Sequence, residues 1–165
     1  AWRKTKIVNY VNEIQQILDQ IVLDSARNQW GDIEWTREIK SRLCLFGKDK
    51  RYWVYATSEH ADGSEWLYDV TWLTFSGDRL LNTELVLESE WDVNGIDFDF
   101  QKLLLVKSEI KVMIFQQKSA IAAQAKIEDL IEQVFKYSKT TSNEMYLFSC
   151  WLQDEREFYH IKHHT

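Results

Sequence analysis

Proline is absent from all 165 residues of this chain. Nothing therefore forces a hard break in the backbone, and long regular elements are open to it. Cysteine is nearly as scarce. Cys44 and Cys150 are the only two, far apart and with no CxxC neighbour. The simpler reading makes both small buried hydrophobes in a reducing, cytoplasmic interior. No run approaches the roughly 18 apolar residues of a membrane span, so no membrane partner is expected. No secretory signal is visible, although a start at Ala1 rather than methionine leaves a processed or trimmed beginning open. GxGxxG, GxSxG and Walker-type loops are missing too, which removes support for a nucleotide cofactor or serine catalysis. Positive charge is also short: the formal net charge is −6. A protein that coats duplex DNA is usually basic, so extensive nucleic-acid contact is disfavoured. A small local site stays open, because metal-binding carboxylates themselves add negative charge.

What is present is a globular composition, 45% apolar and 14% aromatic, with eight tryptophans. The length suits one domain over 1–165, with an N-terminal helical extension (1–31), a core (32–116) and a C-terminal helix and hairpin (117–165). Residues 4–24 place Ile7, Tyr10, Val11, Ile14, Ile17, Leu18, Ile21 and Val22 at helical spacing. That stripe would pack across the core or against a second copy, as a homodimer. A turn over 25–31 precedes a second helix over 32–45, capped by Asp32, with Trp35, Ile39 and Leu43 inward. Glu34 and Glu38 share one face of it. The basic 47–51 segment reads as a solvated turn or as a phosphate contact. Strands follow at 51–58, 65–75 and 80–91, joined by turns at Asp62-Gly63 and 76–78, an antiparallel meander. A helix opened by Asp97 or Asp99 runs to about 107 with Phe98, Leu103 and Leu104 inward. The almost wholly apolar strand 110–116 then reads as buried on both faces. A helix over 119–137, with Ile121, Ala125, Ile127, Leu130, Ile131, Val134 and Phe135 as its apolar positions, and a terminal hairpin over 144–161 complete the chain.

Carboxylates inside these apolar strands are the unusual feature. Asp69 lies amid Leu67, Val70, Trp72 and Leu73, and Glu88 and Glu90 end the third strand. Burying an isolated carboxylate costs several kcal/mol, so Asp69 must have a partner. Glu88 and Glu90 are two apart and point to the same strand face.

With the order helix, three-strand meander, helix, strand in place, residues 32–116 resemble the PD-(D/E)XK nuclease-like superfamily, the restriction-endonuclease-like fold. The motif carrying the resemblance is Asp69 in the second strand followed by Glu88-Ser89-Glu90 in the third. It implies an α/β fold with an α-β-β-β-α-β core, a mixed sheet flanked by helices. It also implies a metal-dependent DNA endonuclease, with Asp69 and Glu88 holding Mg2+ or Mn2+ and Glu90 as third ligand or base. A divalent ion suits phosphodiester hydrolysis, since it polarises the phosphoryl oxygen and acidifies a water. The sequence departs from the family where a lysine is usual: that position holds Glu90. Some members carry a relocated lysine on the following helix, and Lys102, with Gln101 beside it, is placed for that. Glu38 would be the acidic accessory from the first core helix.

Each residue has a plainer alternative. Asp69 is a ligand or a buried carboxylate paired with a lysine or arginine. Glu88 and Glu90 are ligands or the wet end of a strand. Lys102 is an electrostatic helper or a solvated helix lysine, and Asp97 and Asp99 are helix caps. His160 and His163 have the i, i+3 spacing that could hold a metal on a helix, but a solvated tail is the simpler reading for them and His164. The whole-chain alternatives are a non-catalytic interaction module on the same fold, dimeric through the first helix, and a ligand-binding domain whose pocket is lined by Trp66, Trp72 and Trp91.

Overall fold

A computed structural model describes residues 1–165. The protein is α/β, with four helices and six strands in the order α1 (Trp2–Asn28), α2 (Asp32–Asp49), β1 (Trp53–Ala56), β2 (Val70–Ser76), β3 (Arg79–Glu90), α3 (Ile96–Leu105), β4 (Ile110–Gln117), α4 (Ala120–Lys136), β5 (Met145–Leu152) and β6 (Glu157–His164). The strands form one mixed sheet in chain order, β1-β2-β3-β4-β5-β6. The chain divides into two compact units, Ala1–Val86 and Leu87–Thr165, the division falling within β3. No helix is long and apolar enough to cross a membrane.

In the first unit α1 is longer than its periodicity predicts, running to Asn28 and stopping at Gln29, which takes a left-handed φ of 54°. Its stripe of Ile7, Val11, Ile14, Leu18 and Ile21 is buried within the single chain. The face expected to pair two copies is therefore already covered, and the dimer loses its stated basis. Gly31, not Asp32, caps α2, and its N–H donates to Glu34 Oε2 at 3.1 Å. The helix continues to Asp49, so most of the expected 47–51 turn is its last turn, and only Lys50 and Arg51 lie outside.

β1 has four residues rather than eight, and it pairs antiparallel with β2, Trp53 opposite Leu73 and Ala56 opposite Val70. The Asp62-Gly63 pair does not turn a hairpin. The Asp62 carboxylate accepts from the Val54 N–H at 2.8 Å, and Gly63 bridges to Tyr55 in parallel sense. A side-chain acceptor has replaced a neighbouring strand, so residues 57–69 form a long connection. Leu67, at φ 68°, turns the chain into β2. Gly77, at φ 60°, is the one glycine in the left-handed region and turns β2 tightly into β3, as expected for a two-residue hairpin.

In the second unit β4 and β5 pair in parallel, Ile110 opposite Met145, with α4 as the connection. Parallel neighbours need such a crossover. β6 returns antiparallel to β5. β4 is buried from Ile110 to Phe115, as a two-sided apolar run should be. Ser119 caps α4, its hydroxyl accepting from the Ala122 N–H at 3.3 Å. Ala123, Ile127, Leu130 and Val134 form the inner face of α4. Ile121 and Phe135 are exposed, one helical step off that stripe. The same correction applies in α3, where Ile96, Phe100 and Leu103 face inward and Phe98 is exposed. The C-terminal histidines are not a loose tail but part of β6. Residues three apart on a strand face opposite ways, so His160 and His163 cannot share a metal as they would on a helix. His160 instead shares a 2.8 Å hydrogen bond with the Ser149 hydroxyl.

Candidate acidic site

Glu88 lies where β3 is still buried, and its side chain is only 3% exposed. A carboxylate so placed needs a cation or donors. Lys102 provides one: its Nζ lies 2.7 Å from Glu88 Oε1. The placement follows from the helix. Ile96, Phe100 and Leu103 bury the inner face of α3, and Lys102 precedes Leu103 at the edge of that face. Asp99, one turn earlier, approaches the same ammonium at 3.8 Å. Gln101 is exposed. Asp99 thus belongs to the lysine's surroundings rather than to the helix cap, which Gly95 occupies. Asp97 accepts from Lys126 at 2.8 Å and Gln133 at 3.0 Å, and the lysine and glutamine hold its carboxyl below the ordinary range.

Glu90 has a different neighbourhood. Its Oε1 accepts from the Asp92 N–H at 2.8 Å. Its Oε2 lies against Gly95, where an added Cβ would come within 2.5 Å and push the carboxylate aside. Glu90 therefore braces the loop between β3 and α3. Its carboxylate is committed to the backbone there, which disfavours the role of third ligand or base.

In the first unit Asp69 sits one residue before β2, not inside it, and is half-buried. The partner demanded by burial includes Lys40 of α2, whose Nζ lies 3.6 Å from Asp69 Oδ1 and 2.9 Å from Glu65 Oε2. Burial pulls the Lys40 pKa down. The hydrogen bond to Glu65 and the charge of Asp69 outweigh it, and the net shift is upward. Lys40 carries no sequence signal, because it is one polar residue on a helix with many. Glu38 accepts from Arg42 Nε at 3.0 Å, and Arg42 also reaches Asp24 of α1 at 2.7 Å. Glu38 is thus tied into an α1–α2 ion network. An open groove of about 900 Å³ runs beside Lys40, lined also by Arg37, by the hydroxyls of Thr36, Ser41, Thr57 and Ser58, and by the acids Asp32 and Glu59. A further buried acid carries no local sequence signal: Glu84 of β3 is 2% exposed and pairs with Lys6 of α1 at 2.8 Å.

The tryptophans split. Trp72 is fully buried, with Tyr52 stacked on it at 5.7 Å, whereas Trp66 is exposed and Trp91 partly so.

The acidic side chains offer the hard oxygen donors that Mg2+ or Mn2+ takes. No group of three or more His, Cys, Asp or Glu side chains gathers to hold an ion. Magnesium needs only one or two carboxylates and completes its shell with water, so Glu88 fits as a ligand of that sparse kind. Comparison with known families, curated proteins and solved structures gives no match to this chain in any of the three.

Proposed function

We propose that this chain is a nuclease-like protein that hydrolyses DNA phosphodiester bonds with Mg2+ or Mn2+. The observation that carries the reading is the 2.7 Å contact of Lys102 with Glu88. The resemblance requires a lysine beside the acidic residue of the third strand, and Lys102 supplies it from the following helix. The element order α2-β1-β2-β3-α3-β4 is the one that the resemblance implies, and it supports the restriction-endonuclease-like core as part of the proposal. Glu88 is the carboxylate best suited by its surroundings to hold the ion, and Asp69 is the further acidic residue that the resemblance implies. When bound, the ion polarises the phosphoryl oxygen and acidifies a water. Lys102 sets a positive charge beside the buried Glu88 carboxylate, where the phosphate's negative charge would accumulate. Asp99 positions the ammonium from the other side. Lys40, Arg37 and the hydroxyls of the α2 groove suit the DNA backbone, which is recognised by cations and small hydroxyl donors. The two free, buried thiols fit a reducing compartment such as the cytoplasm.

A second reading draws on Glu90. With that residue committed to its loop and Glu88 already held by Lys102, the chain would be a non-catalytic interaction module on the same framework. One experiment separates the two. Supercoiled, nicked, linear and single-stranded DNA are incubated with Mg2+ or Mn2+ and the native chain, Glu88→Gln, Lys102→Met and Asp69→Ala. The nuclease reading expects cleavage by the native chain and a loss of about 100-fold or more in each variant. Absence of native cleavage, with no heat on titrating either metal, turns the assignment to the interaction module.

A further inference from the structure

The first unit holds a second recess, outside the acidic site, of about 310 Å³. That is near the small end of the roughly 300–1,000 Å³ usual for small-molecule sites. It opens between the end of α2 and the β1–β2 edge, and Lys48, Arg51, Trp53, Asp62, Thr74 and Phe75 line it. Two properties set it apart from an ordinary surface dimple.

The first is aromatic. Trp53 is 47% exposed and Phe75 36%, yet the two rings are in contact, edge to face, with centroids 6.4 Å apart. Trp53 faces Leu73 across the β1–β2 pair, and Leu73 is buried. The rings therefore rise from a fixed apolar floor rather than from a loose loop. Exposed aromatic faces held this way are platforms on which a flat ring can stack.

The second is charge. Within a chain of net charge −6, this recess carries two cations, Lys48 and Arg51, and one carboxylate. Asp62 is that carboxylate, and its Oδ2 already accepts from the Val54 N–H at 2.8 Å, while Lys48 Nζ stands 3.8 Å from its Oδ1. Arg51 makes no ion pair within 4 Å. It is held at φ 68°, a conformation an arginine rarely adopts, and its N–H donates to the Lys48 carbonyl at 2.9 Å. The tight turn thus brings both cations to one rim of the aromatic platform.

We infer that this recess binds a nucleotide unit, its base stacked on the Trp53 ring beside Phe75 and its phosphate held by Arg51 and Lys48. A flat apolar ring and an anion are both needed to match the two properties, and a nucleotide joins them at short range. The same chemistry is offered by a free mononucleotide and by the end of a single strand. The site uses none of Asp69, Glu88 or Lys102 and stands independently of the nuclease reading.

The test is calorimetric titration of the full chain in EDTA with dAMP, deoxyadenosine, inorganic phosphate and a 5′-phosphorylated single-stranded decamer. Binding of dAMP is expected, with deoxyadenosine and phosphate each weaker by about tenfold or more. Trp53→Ala should weaken dAMP by about tenfold or more, the usual scale of one base stack. Arg51→Gly should weaken dAMP but not deoxyadenosine. Glycine accepts the left-handed turn without strain, so this variant should melt no lower than the native chain and keeps the result readable if Trp53→Ala fails to fold. Equal affinity for dAMP and the decamer assigns the site to free nucleotides, and a tighter decamer assigns it to strand ends. Glu88→Gln should bind dAMP as the native chain does, whatever its cleavage activity. No heat with either dAMP or the decamer, or unchanged affinity in Arg51→Gly, overturns the inference.

Discussion

Two lysine–glutamate pairs in the second unit have the same length and opposite construction. Glu88 and Lys102 meet at 2.7 Å, with side-chain exposures of 3% and 33%. Lys111 and Glu144 meet at 2.7 Å, with exposures of 0% and 12%. In the first pair the acid is sealed and the cation reaches water. In the second the cation is sealed. Lys111 also donates to the Tyr146 hydroxyl at 3.2 Å and lies 5.1 Å from that ring's centroid, while Glu144 Oε2 accepts from the Thr141 N–H at 3.3 Å. Lys111 and Tyr146 are register partners on β4 and β5, so the pair is built into the sheet. An ion pair of this second kind is enclosed in the interior and offers nothing to a ligand. In the first kind the cation can turn toward an incoming anion while the acid stays fixed. The contrast is why Glu88–Lys102 supports a functional reading and Lys111–Glu144 does not.

The sharpest way to break the contrast is to remove the outer partner of each pair. Glu144→Ala leaves a fully buried ammonium without its carboxylate, and it should lower unfolding free energy in urea by about 3–5 kcal/mol. Lys102→Met strands a buried carboxylate that has Lys102 as its ion-pair partner, and a smaller loss of about 1–3 kcal/mol is expected. Glu88→Gln leaves a lysine that already reaches water, and its stability should stay within about 1 kcal/mol of the native chain. If Glu88→Gln proves as damaging as Glu144→Ala, the two pairs are alike and Glu88–Lys102 is structural.

The second pair was invisible in the sequence, and the reason is physical. Lys111 sits in an otherwise apolar run, and its carboxylate lies 33 residues away in a loop whose position only the parallel β4–β5 pairing sets. Long-range partners of this kind leave no local periodicity. Lys102 was legible because its partner strand and its helix are adjacent in sequence, so a short connection limits where the side chain can reach. The apolar stripes of α1 and α4 and the buried β4 were legible for the same local reason. Phe98, Ile121 and Phe135 were not, because hydrophobicity alone does not fix a phase when Phe100, Ala123 and Val134 compete for the same core. The Asp62-Gly63 signal misled because the Asp62 side chain replaces a strand partner. Asp69 was correctly expected to need a counter-charge, but Lys40 could not be chosen from the many lysines of the chain.

The smallest effect tests the enclosure of the second pair by pH. Burial lowers the pKa of Lys111 from its ordinary 10.5, although Glu144 opposes that shift. Between the lowered value and 10.5 the folded chain releases a proton that the unfolded chain still holds. Stability contributed by this group therefore rises with pH through that window, since the unfolded state binds more protons. The cost of burying the charged ammonium is complete below the window and gone above it. Burial of the Cys150 thiol, whose pKa is pushed up to about 12, acts in the opposite sense from pH 9 upward. The informative quantity is thus the difference between the native chain and Lys111→Met, in which the thiol contribution cancels. That difference should grow in favour of the native chain as pH rises toward 10.5. No growth in that difference would mean that the Lys111 ammonium is less enclosed in solution than its full burial implies, and the contrast with the partly exposed Lys102 would lose its basis.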